Sequence, residues 1–233
     1  MLGGMDTRAA FSVTDATVVH RRPERASYDR AFAYSILDEA LYASVAFVAE
    51  GAPCVIPMAF ARLGDRLVLH GASKSRLQVM LGESARLCVA VTLVDGVVLA
   101  RSAMHHSMNY RSVVVFGRAE ELTAEADKRA ALAAIVEHVL RGRSAETRAP
   151  NALELKATRV FALPLEEASV KHREGGPLED EEDLGLPYWG GVIPLALTAG
   201  VPVSDPKHAP RVPAPQGTLA YERGATRLRA VAP

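Results

Sequence analysis

Val91–Glu120 indicates the fold class more directly than any other stretch; its sequence is VTLVDGVVLARSAMHHSMNYRSVVVFGRAE. Asp95-Gly96 is a strong signal for a two-residue hairpin turn, so we expect strand Arg86–Val94 to pair with Val97–Ala103. A further strand, rich in β-branched residues, is predicted over Tyr110–Glu120. Because short connections join antiparallel neighbours, this block predicts an antiparallel sheet.

Short β-type runs also lie on both sides of this block. They are Ala43–Ala49, Cys54–Arg62, Arg66–Gly71 and Thr158–Leu165. Many short strands with only a few helices predict a mostly β fold. We expect an antiparallel barrel with helical additions instead of a doubly wound parallel sheet.

The helices are predicted from apolar spacing and from capping residues. A helix over Arg25–Ala40 has Ser27 as its expected N-cap, and Ser73–Leu81 is expected to form one or two helical turns. Asn151 and Glu154 have the spacing of a capping box before another short helix. The clearest helix carries an apolar stripe at i, i+3, i+4, i+7 and i+8. The stripe consists of Leu132, Ile135, Val136, Val139 and Leu140.

The charge balance argues against a polyanionic partner. The chain of 233 residues has 27 Lys plus Arg against 27 Asp plus Glu, so no excess of positive charge favours a nucleic acid or an anionic membrane. No run reaches the roughly 18 apolar residues of a membrane span, and the first residues lack the pattern of a secretory signal. We expect a cytoplasmic protein in which Cys54 and Cys88 are buried, reduced thiols, with a disulfide or metal pair as the alternative.

Composition divides the chain into two regions. Residues 1–200 are expected to form one globular domain, in which the acidic segment Glu174–Asp183 is a solvated loop. Residues 201–233 are rich in proline and contain Tyr221 as their only aromatic residue. Such a segment cannot bury enough apolar surface for a core of its own, so we expect a wrapping or disordered tail.

Motif searches limit the chemistry that the chain can support. The sequence contains no GxGxxG, Walker loop, HExxH or GxSxG motif, so the usual nucleotide, zinc-protease and serine-hydrolase sites have no support. His105 and His106 are adjacent, and neighbouring side chains of an extended segment point to opposite faces. No metal site is therefore expected.

Two polar clusters remain as candidates for ligand binding. Leu69–Arg76 (LHGASKSR) opens a predicted helix, where free amides with Lys74 and Arg76 suit a phosphate; an ordinary solvated helix cap has the same pattern. Within it, His70 is either a packed or surface residue of the strand or a catalyst. Asn109–Ser112 suits the rim of a ligand cleft or the polar entry to a buried strand.

Six segments together resemble a known family. VIPMAFAR, LHGASKSR, the Val91–Glu120 block, ELKAT, EASVKHREG and YWGGVIPL are similar to the flavin-nucleotide-binding proteins of the pyridoxamine 5′-phosphate oxidase-like superfamily, in the branch near the nitroimidazole-resistance proteins. The resemblance extends from Val18 to Pro206. It implies an FMN-binding split β-barrel with peripheral helices that forms a homodimer, with a flavin in each of two clefts at the dimer interface.

The resemblance also implies roles for individual residues. The strand with Ile56–Met58 would lie along the isoalloxazine edge, the turn at His70–Arg76 would bind the flavin phosphate, and Tyr110–Ser112 would contact the flavin. Arg111 would stabilise the N1/O2 side of the reduced ring, and Trp189 would reach the cofactor or anchor the dimer. The residues implied as cofactor contacts are Ile56, Pro57, Met58, His70, Ser73, Lys74, Ser75, Arg76, Tyr110, Arg111, Ser112 and Trp189.

Two functions are compatible with this resemblance. One is a flavin-dependent oxidoreductase that reduces a small organic compound, such as a nitro-aromatic, with His70 as the catalytic proton donor. The other is a non-catalytic flavin or haem carrier or sensor. FMN is the expected cofactor, FAD the alternative, and haem the least expected. The pyridoxal-phosphate-binding residues of the true oxidase have no match here, so vitamin B6 oxidation is not expected.

Overall fold

The computed structural model describes residues 9–75, 77, 81, 86–207 and 213–221. Its strands are β1 Ala26–Ser27, β2 Ala43–Ala49, β3 Ala52–Met58, β4 Phe60–Leu63, β5 Arg66–Ala72, β6 Arg86–Leu99, β7 Ser107–Arg118, β8 Glu120–Glu121, β9 Thr158–Pro164, β10 Glu167–Arg173 and β11 Gly191–Pro194. Its α-helices are α1 Arg30–Glu39, α2 Glu125–Val139, α3 Ala152–Ala157 and α4 Gln216–Leu219.

The strands form two antiparallel sheets, which confirms the mostly β prediction. The larger sheet has the order β1-β10-β7-β6-β2-β3, and β11 also pairs with β6; the smaller sheet has the order β4-β5-β9-β8. Among the described residues, no helix is both long and apolar enough to span a membrane.

Side chains of β5 point alternately to the two faces of the smaller sheet, and both faces are covered. Leu67 and Leu69 point into the main core, where they join buried residues of the larger sheet. Val68 belongs to a second cluster that contains Ala131 and Ile135 of α2. Because side chains two residues apart share a face of a strand, His70 lies on the same face as Val68, the face that α2 covers.

The hairpin predicted at Asp95-Gly96 is wrong. Strand β6 continues through both residues, with a bulge between Val94 and Gly96, and its hairpin partner is β7. The glycine is required for close packing instead of a turn: a Cβ on Gly96 would lie 3.1 Å from the Ile193 carbonyl oxygen of β11. β11 itself was not predicted, and neither was β10.

The first helix begins later than predicted. Asp29 is its N-cap, and the Asp29 carboxylate accepts a hydrogen bond from the Phe32 amide at 2.6 Å. Ser27 lies in β1, so its prediction as the cap is wrong; its hydroxyl accepts instead from the Asp29 amide. The capping box at Asn151 and Glu154 is confirmed at the start of α3.

The single strand predicted over Cys54–Arg62 is divided between the two sheets. β3 ends at Met58 in the larger sheet, and β4 begins at Phe60 in the smaller one. Phe60 is fully buried in the main core, so the break carries the chain from one layer to the next. Cys54 and Cys88 are free thiols. Both were expected to be buried, but each is only half-buried.

The acidic segment Glu174–Asp183 is mostly exposed, as expected, with one departure. The side chain of Glu179 is only 4% exposed and accepts hydrogen bonds from the Arg101 amide at 2.5 Å and from its guanidinium at 2.6 Å. This pair fixes the segment to the end of β6. The proline-rich tail stays a prediction for residues 201–233, of which 201–207 are exposed and α4 has no buried residue.

Candidate functional site

A cavity of about 460 Å³ lies between the end of β5, helix α2 and the segment that leads into β9. Its apolar wall is formed by Leu132, Ile135 and Val136 of α2, and His70 lines it from β5. The volume falls within the about 300–1,000 Å³ that is usual for small-molecule and cofactor sites. The predicted apolar stripe is therefore confirmed in part, because Val139 is exposed and Leu140 lies beyond the end of α2.

Local hydrogen bonds hold the walls of this cavity in place. Lys128 Nζ donates to the carbonyls of Leu155 and Thr158, each at 2.6 Å, and so ties α2 to the junction of α3 and β9. Glu137 accepts from the Gly142 amide at 2.6 Å and the Ser144 amide at 2.8 Å. These bonds close the turn after α2 and orient the segment that forms the opposite wall.

Two arginines, Arg129 and Arg148, line the cavity. Arg129 donates to the Pro150 carbonyl at 2.7 Å and pairs with Glu125. Arg148 pairs with Glu154, and this hydrogen bond together with the Asn151 amide lowers the pKa of Glu154 to about 2. The pairs lie near the surface, so the cavity has an apolar interior and a margin of paired arginines and carboxylates.

His70 is the histidine at the lining of this cavity. Burial lowers its pKa from the ordinary value near 6.5, so its imidazole is neutral at pH 7. Its Nδ1 atom is shielded from solvent and has no hydrogen-bond partner among the described residues. A neutral imidazole with an unused nitrogen can bind a metal, accept a proton or hydrogen-bond a ligand.

Arg111 occupies a buried ion cluster inside the larger sheet. Its side chain is 3% exposed, and its guanidinium donates to Glu39 at 2.5 and 2.8 Å and to Asp95 at 2.7 and 2.8 Å. Burial alone would lower the pKa of Arg111, but the hydrogen bonds that its guanidinium donates to Glu39 and Asp95 raise that pKa above the ordinary value. Asp95 reaches the guanidinium from the bulge of β6. In this chain the Arg111 donors face two carboxylates.

The other residues expected on β3 and β7 lie in different parts of the larger sheet. Ile56 and Met58 pack partly against the core, and Pro57 is exposed. Tyr110 is half-buried, and Ser112 Oγ donates to the Lys171 carbonyl at 3.0 Å. Strands β6 and β2 separate β7 from β3, which places the two groups roughly 14 Å apart at about 4.8 Å per strand spacing.

The phosphate-binding segment is only partly described. Ser73 donates its amide to the Ala157 carbonyl at 3.0 Å, and the Ser75 amide donates to the Ala72 carbonyl at 2.8 Å. Lys74 is exposed. Arg76 lies outside the described residues, as does most of the predicted helix Ser73–Leu81, of which Leu77 and Leu81 are helical and buried.

Trp189 is 65% exposed in the single chain and lies beside Tyr188, which is 63% exposed. The indole covers the start of β11: a Cβ on Gly191 would come within 2.6 Å of it. Gly191 therefore leaves room for the ring, most of which is exposed in the single chain.

Some arrangements were not anticipated from the sequence. His105, Asp180 and Asp183 bring ligand atoms within 4.8 Å of one another, although the metal prediction considered only His105 with His106. Glu39, Arg129 and Arg148 were not candidates either. The Arg111 cluster and the His105 grouping join residues that are distant in sequence, since Arg111 and Glu39 are 72 positions apart and His105 and Asp180 are 75 apart, so no local motif marks them.

The chain is similar to a known protein family and to several solved structures. A family model described as pyridoxamine 5′-phosphate oxidase matches residues 29–172. The flavocytochrome Anf3 from Azotobacter vinelandii is 41% identical, with a TM-score of 0.85, over 91% of this chain and 98% of that chain. The FAD and haem binding protein from Mycobacterium smegmatis is 38% identical, with a TM-score of 0.79, over 83% of this chain and 95% of that chain.

A candidate 5-nitroimidazole antibiotic resistance protein from Bacteroides thetaiotaomicron shares the fold at 24% identity and a TM-score of 0.54, over 63% of this chain and 85% of that chain. No curated protein matches the sequence.

Proposed function

Because this chain belongs to the pyridoxamine 5′-phosphate oxidase family, we propose that it binds a flavin nucleotide and transfers electrons to a small organic acceptor. The observation that carries the proposal is the similarity over nearly the whole chain to two flavin proteins, at 41% and 38% identity. A bound flavin supplies hydride and single-electron chemistry. The protein supplies binding, orientation and charge.

The outer edge of β3 is the surface that we assign to the flavin ring. β3 is the last strand of the larger sheet among the described strands, and an edge strand has backbone N–H and C=O groups without strand partners. Pro57 is exposed there and has no N–H, as is usual for proline on an edge. The Pro57 carbonyl, which faces the same outer edge, would accept a hydrogen bond from the polar edge of the ring, and Ile56 and Met58 would flank it.

We assign the flavin phosphate to the turn after β5. Ser73, Lys74 and Ser75 follow the strand directly, Lys74 is exposed, and Arg76 comes next in the sequence. A lysine and an arginine, with serine hydroxyls beside them, match the charge and hydrogen-bonding needs of a phosphate.

A homodimer would explain the remaining assignments. Tyr110 and Ser112 lie three strand spacings, roughly 14 Å, from β3 in the same chain. Trp189 is mostly exposed in the single chain. These residues would therefore contact the flavin of the partner subunit, or the partner itself. Arg111 would not touch the flavin. Its ion cluster would stabilise the larger sheet, and the sheet would in turn hold the cleft in shape.

The test is an absorption spectrum of the purified protein, with mass spectrometry of the released cofactor and light scattering for the dimer. We expect a yellow dimer with one flavin per chain; FMN and FAD are distinguished by mass. Reduction by NADH or NADPH, followed by reoxidation by nitro compounds faster than by oxygen alone, would support the oxidoreductase over a carrier. A colourless protein that binds neither added flavin would refute the proposal.

Haem is the second cofactor that we propose. The relatives at 41% and 38% identity are named as a flavocytochrome and as an FAD and haem binding protein, which reverses the low expectation for haem from the sequence. The cavity beside His70 supports this proposal with its apolar wall and with an imidazole at its lining. A Soret band in the same spectrum would support haem binding.

A further inference from the structure

We infer that His105, Asp180 and Asp183 form a binding site for Zn²⁺ or a similar divalent transition-metal ion. Their ligand atoms, one imidazole nitrogen and two carboxylate oxygens, all lie within 4.8 Å of one another. None of the three residues lines the cavity beside His70. The inference therefore does not depend on the proposed flavin or haem binding.

The two aspartates are separated by one turn of 3₁₀ helix. Asp180 is the N-cap of the turn Glu181–Asp183, and the Asp183 amide donates to the Asp180 carbonyl at 3.0 Å. Side chains at positions i and i+3 of a 3₁₀ helix eclipse one another. The backbone therefore brings both carboxylates to the same side of the turn, as two ligands of one ion require.

The third ligand comes from the connection between β6 and β7. His105 ends the short turn Ala103–His105, and its Nε2 lies 3.2 Å from Asp180 Oδ2. The neighbouring His106 is engaged elsewhere, since its Nδ1 lies 3.1 Å from the Ser102 carbonyl oxygen. The two histidines thus do not share a ligand, and the fold brings two aspartates to His105 instead.

A buried ion pair holds the aspartates against the turn that carries the histidine. Glu179 directly precedes Asp180, and its side chain is only 4% exposed. It accepts hydrogen bonds from the Arg101 amide at 2.5 Å and from the Arg101 guanidinium at 2.6 Å. Arg101 lies four residues before His105 in the sequence. Both sides of the cluster are therefore fixed to the end of β6, so little further ordering is needed when an ion binds.

The negative charges of the cluster lack a cationic side chain. Among the described residues, Asp180 contacts His105, and neither Asp180 nor Asp183 pairs with a lysine or an arginine. Glu181 and Glu182, both exposed, add two more negative charges between them. Carboxylates this close repel one another. A divalent cation would replace this repulsion with attraction.

The ligand set is one that zinc prefers. Zinc binds imidazole nitrogen and carboxylate oxygen at about 2.0–2.2 Å, so two ligands of a tetrahedral ion lie about 3.4 Å apart. The 3.2 Å between His105 Nε2 and Asp180 Oδ2 is close to that distance. The Asp180 side chain is 69% exposed and is free to adjust. Three protein ligands leave the fourth position to water, whereas Ca²⁺ and Mg²⁺ prefer oxygen ligands alone.

The experiment is a calorimetric titration of the purified, tag-free protein with ZnCl₂, after treatment with EDTA to remove bound metal. We expect one Zn²⁺ per chain, bound at least tenfold more tightly than Ca²⁺ or Mg²⁺. His105→Ala, Asp180→Asn and Asp183→Asn should each lower the zinc affinity at least tenfold. X-ray absorption at the zinc edge should show a single imidazole ligand in the wild type and none in His105→Ala.

Two matched controls separate coordination from general attraction. His106→Ala removes the adjacent histidine, and Glu181→Gln removes a negative charge next to Asp180 without touching the cluster; both should bind zinc within threefold of the wild type. Hydrogen exchange of the wild type needs no substitution. Zinc should slow the amides of residues 183–186, which close the 3₁₀ turn, and leave those of α2 unchanged.

Three results would overturn the inference. One is a wild type that binds no zinc, or that binds Ca²⁺ and Mg²⁺ equally well. Another is a loss of affinity in Glu181→Gln as large as that in Asp183→Asn, which would show diffuse attraction to the acidic segment. The third is zinc that binds without slowing amide exchange in residues 183–186. None of these results bears on the flavin proposal, which the absorption spectrum tests separately.

Discussion

Replacing Arg111 tests how the ion cluster stabilises the larger sheet. Arg111→Met removes a cation that makes hydrogen bonds of 2.5–2.8 Å to Glu39 and Asp95. Breaking a buried ion pair from one side costs about 3–5 kcal/mol, because the remaining charge loses its partner. The carboxylate side chains are 24% and 33% exposed, so water still solvates them in part. We therefore expect a loss of about 3 kcal/mol.

The assay is urea unfolding at a fixed flavin concentration, because a bound ligand also contributes to stability. The triple variant Arg111→Met/Glu39→Gln/Asp95→Asn serves as the control, since it removes all three charges and should be clearly more stable than Arg111→Met alone. A loss below about 1 kcal/mol for Arg111→Met would refute the argument. A triple variant no more stable than Arg111→Met would also contradict it.

Three other perturbations follow from the structure. Burial lowers the pKa of His70; the unfolded chain therefore binds more protons below about pH 6.5, and the free energy of unfolding should fall as the pH drops from 7 to 5. In His70→Gln, denaturant titrations at both pH values should show a smaller fall. Changing Lys74 and Arg76 together to Ala should weaken flavin binding by about 2–4 kcal/mol in fluorescence titrations, whereas unchanged affinity would reject the phosphate assignment. Gly96→Ala should destabilise the protein by about 1–3 kcal/mol in thermal melts, because the added Cβ would lie 3.1 Å from β11. Gly176→Ala is the control and should be near neutral, because nothing lies within 4 Å of the added Cβ.

Features set by neighbours in sequence could be predicted. The capping box at Asn151 and Glu154 depends on residues three positions apart, and the structure contains it. The apolar stripe of α2 depends on spacing alone, and its helix is present. Strand Ala43–Ala49 has the predicted bounds because a compact run of small and β-branched residues needs no distant partner to mark it.

Features set by tertiary contacts could not be predicted. Asp95-Gly96 has the local chemistry of a turn, but pairing with β11 and the pull of Arg111 on Asp95 keep the strand extended there. The same limit applied to the site. His70 was a candidate from its own segment, whereas the cavity it lines needs α2 and the residues up to Thr158, which only the folded chain brings near it.

Two strands, β2 and β11, pair with different parts of the same edge of β6, and they should differ in how easily they detach from it. β7 pairs with β6 along its length, while β2 holds the other edge at Cys88–Ala90 and β11 holds it at Gly96–Leu99. Between these two partners the bulge interrupts the ladder. β11 is a four-residue strand, so it can detach in a local opening that leaves β2 and the core in place. Amide protons at the β11 end of β6 should therefore exchange with solvent well before those at the β2 end, and such an opening would carry the neighbouring Trp189 away from the sheet.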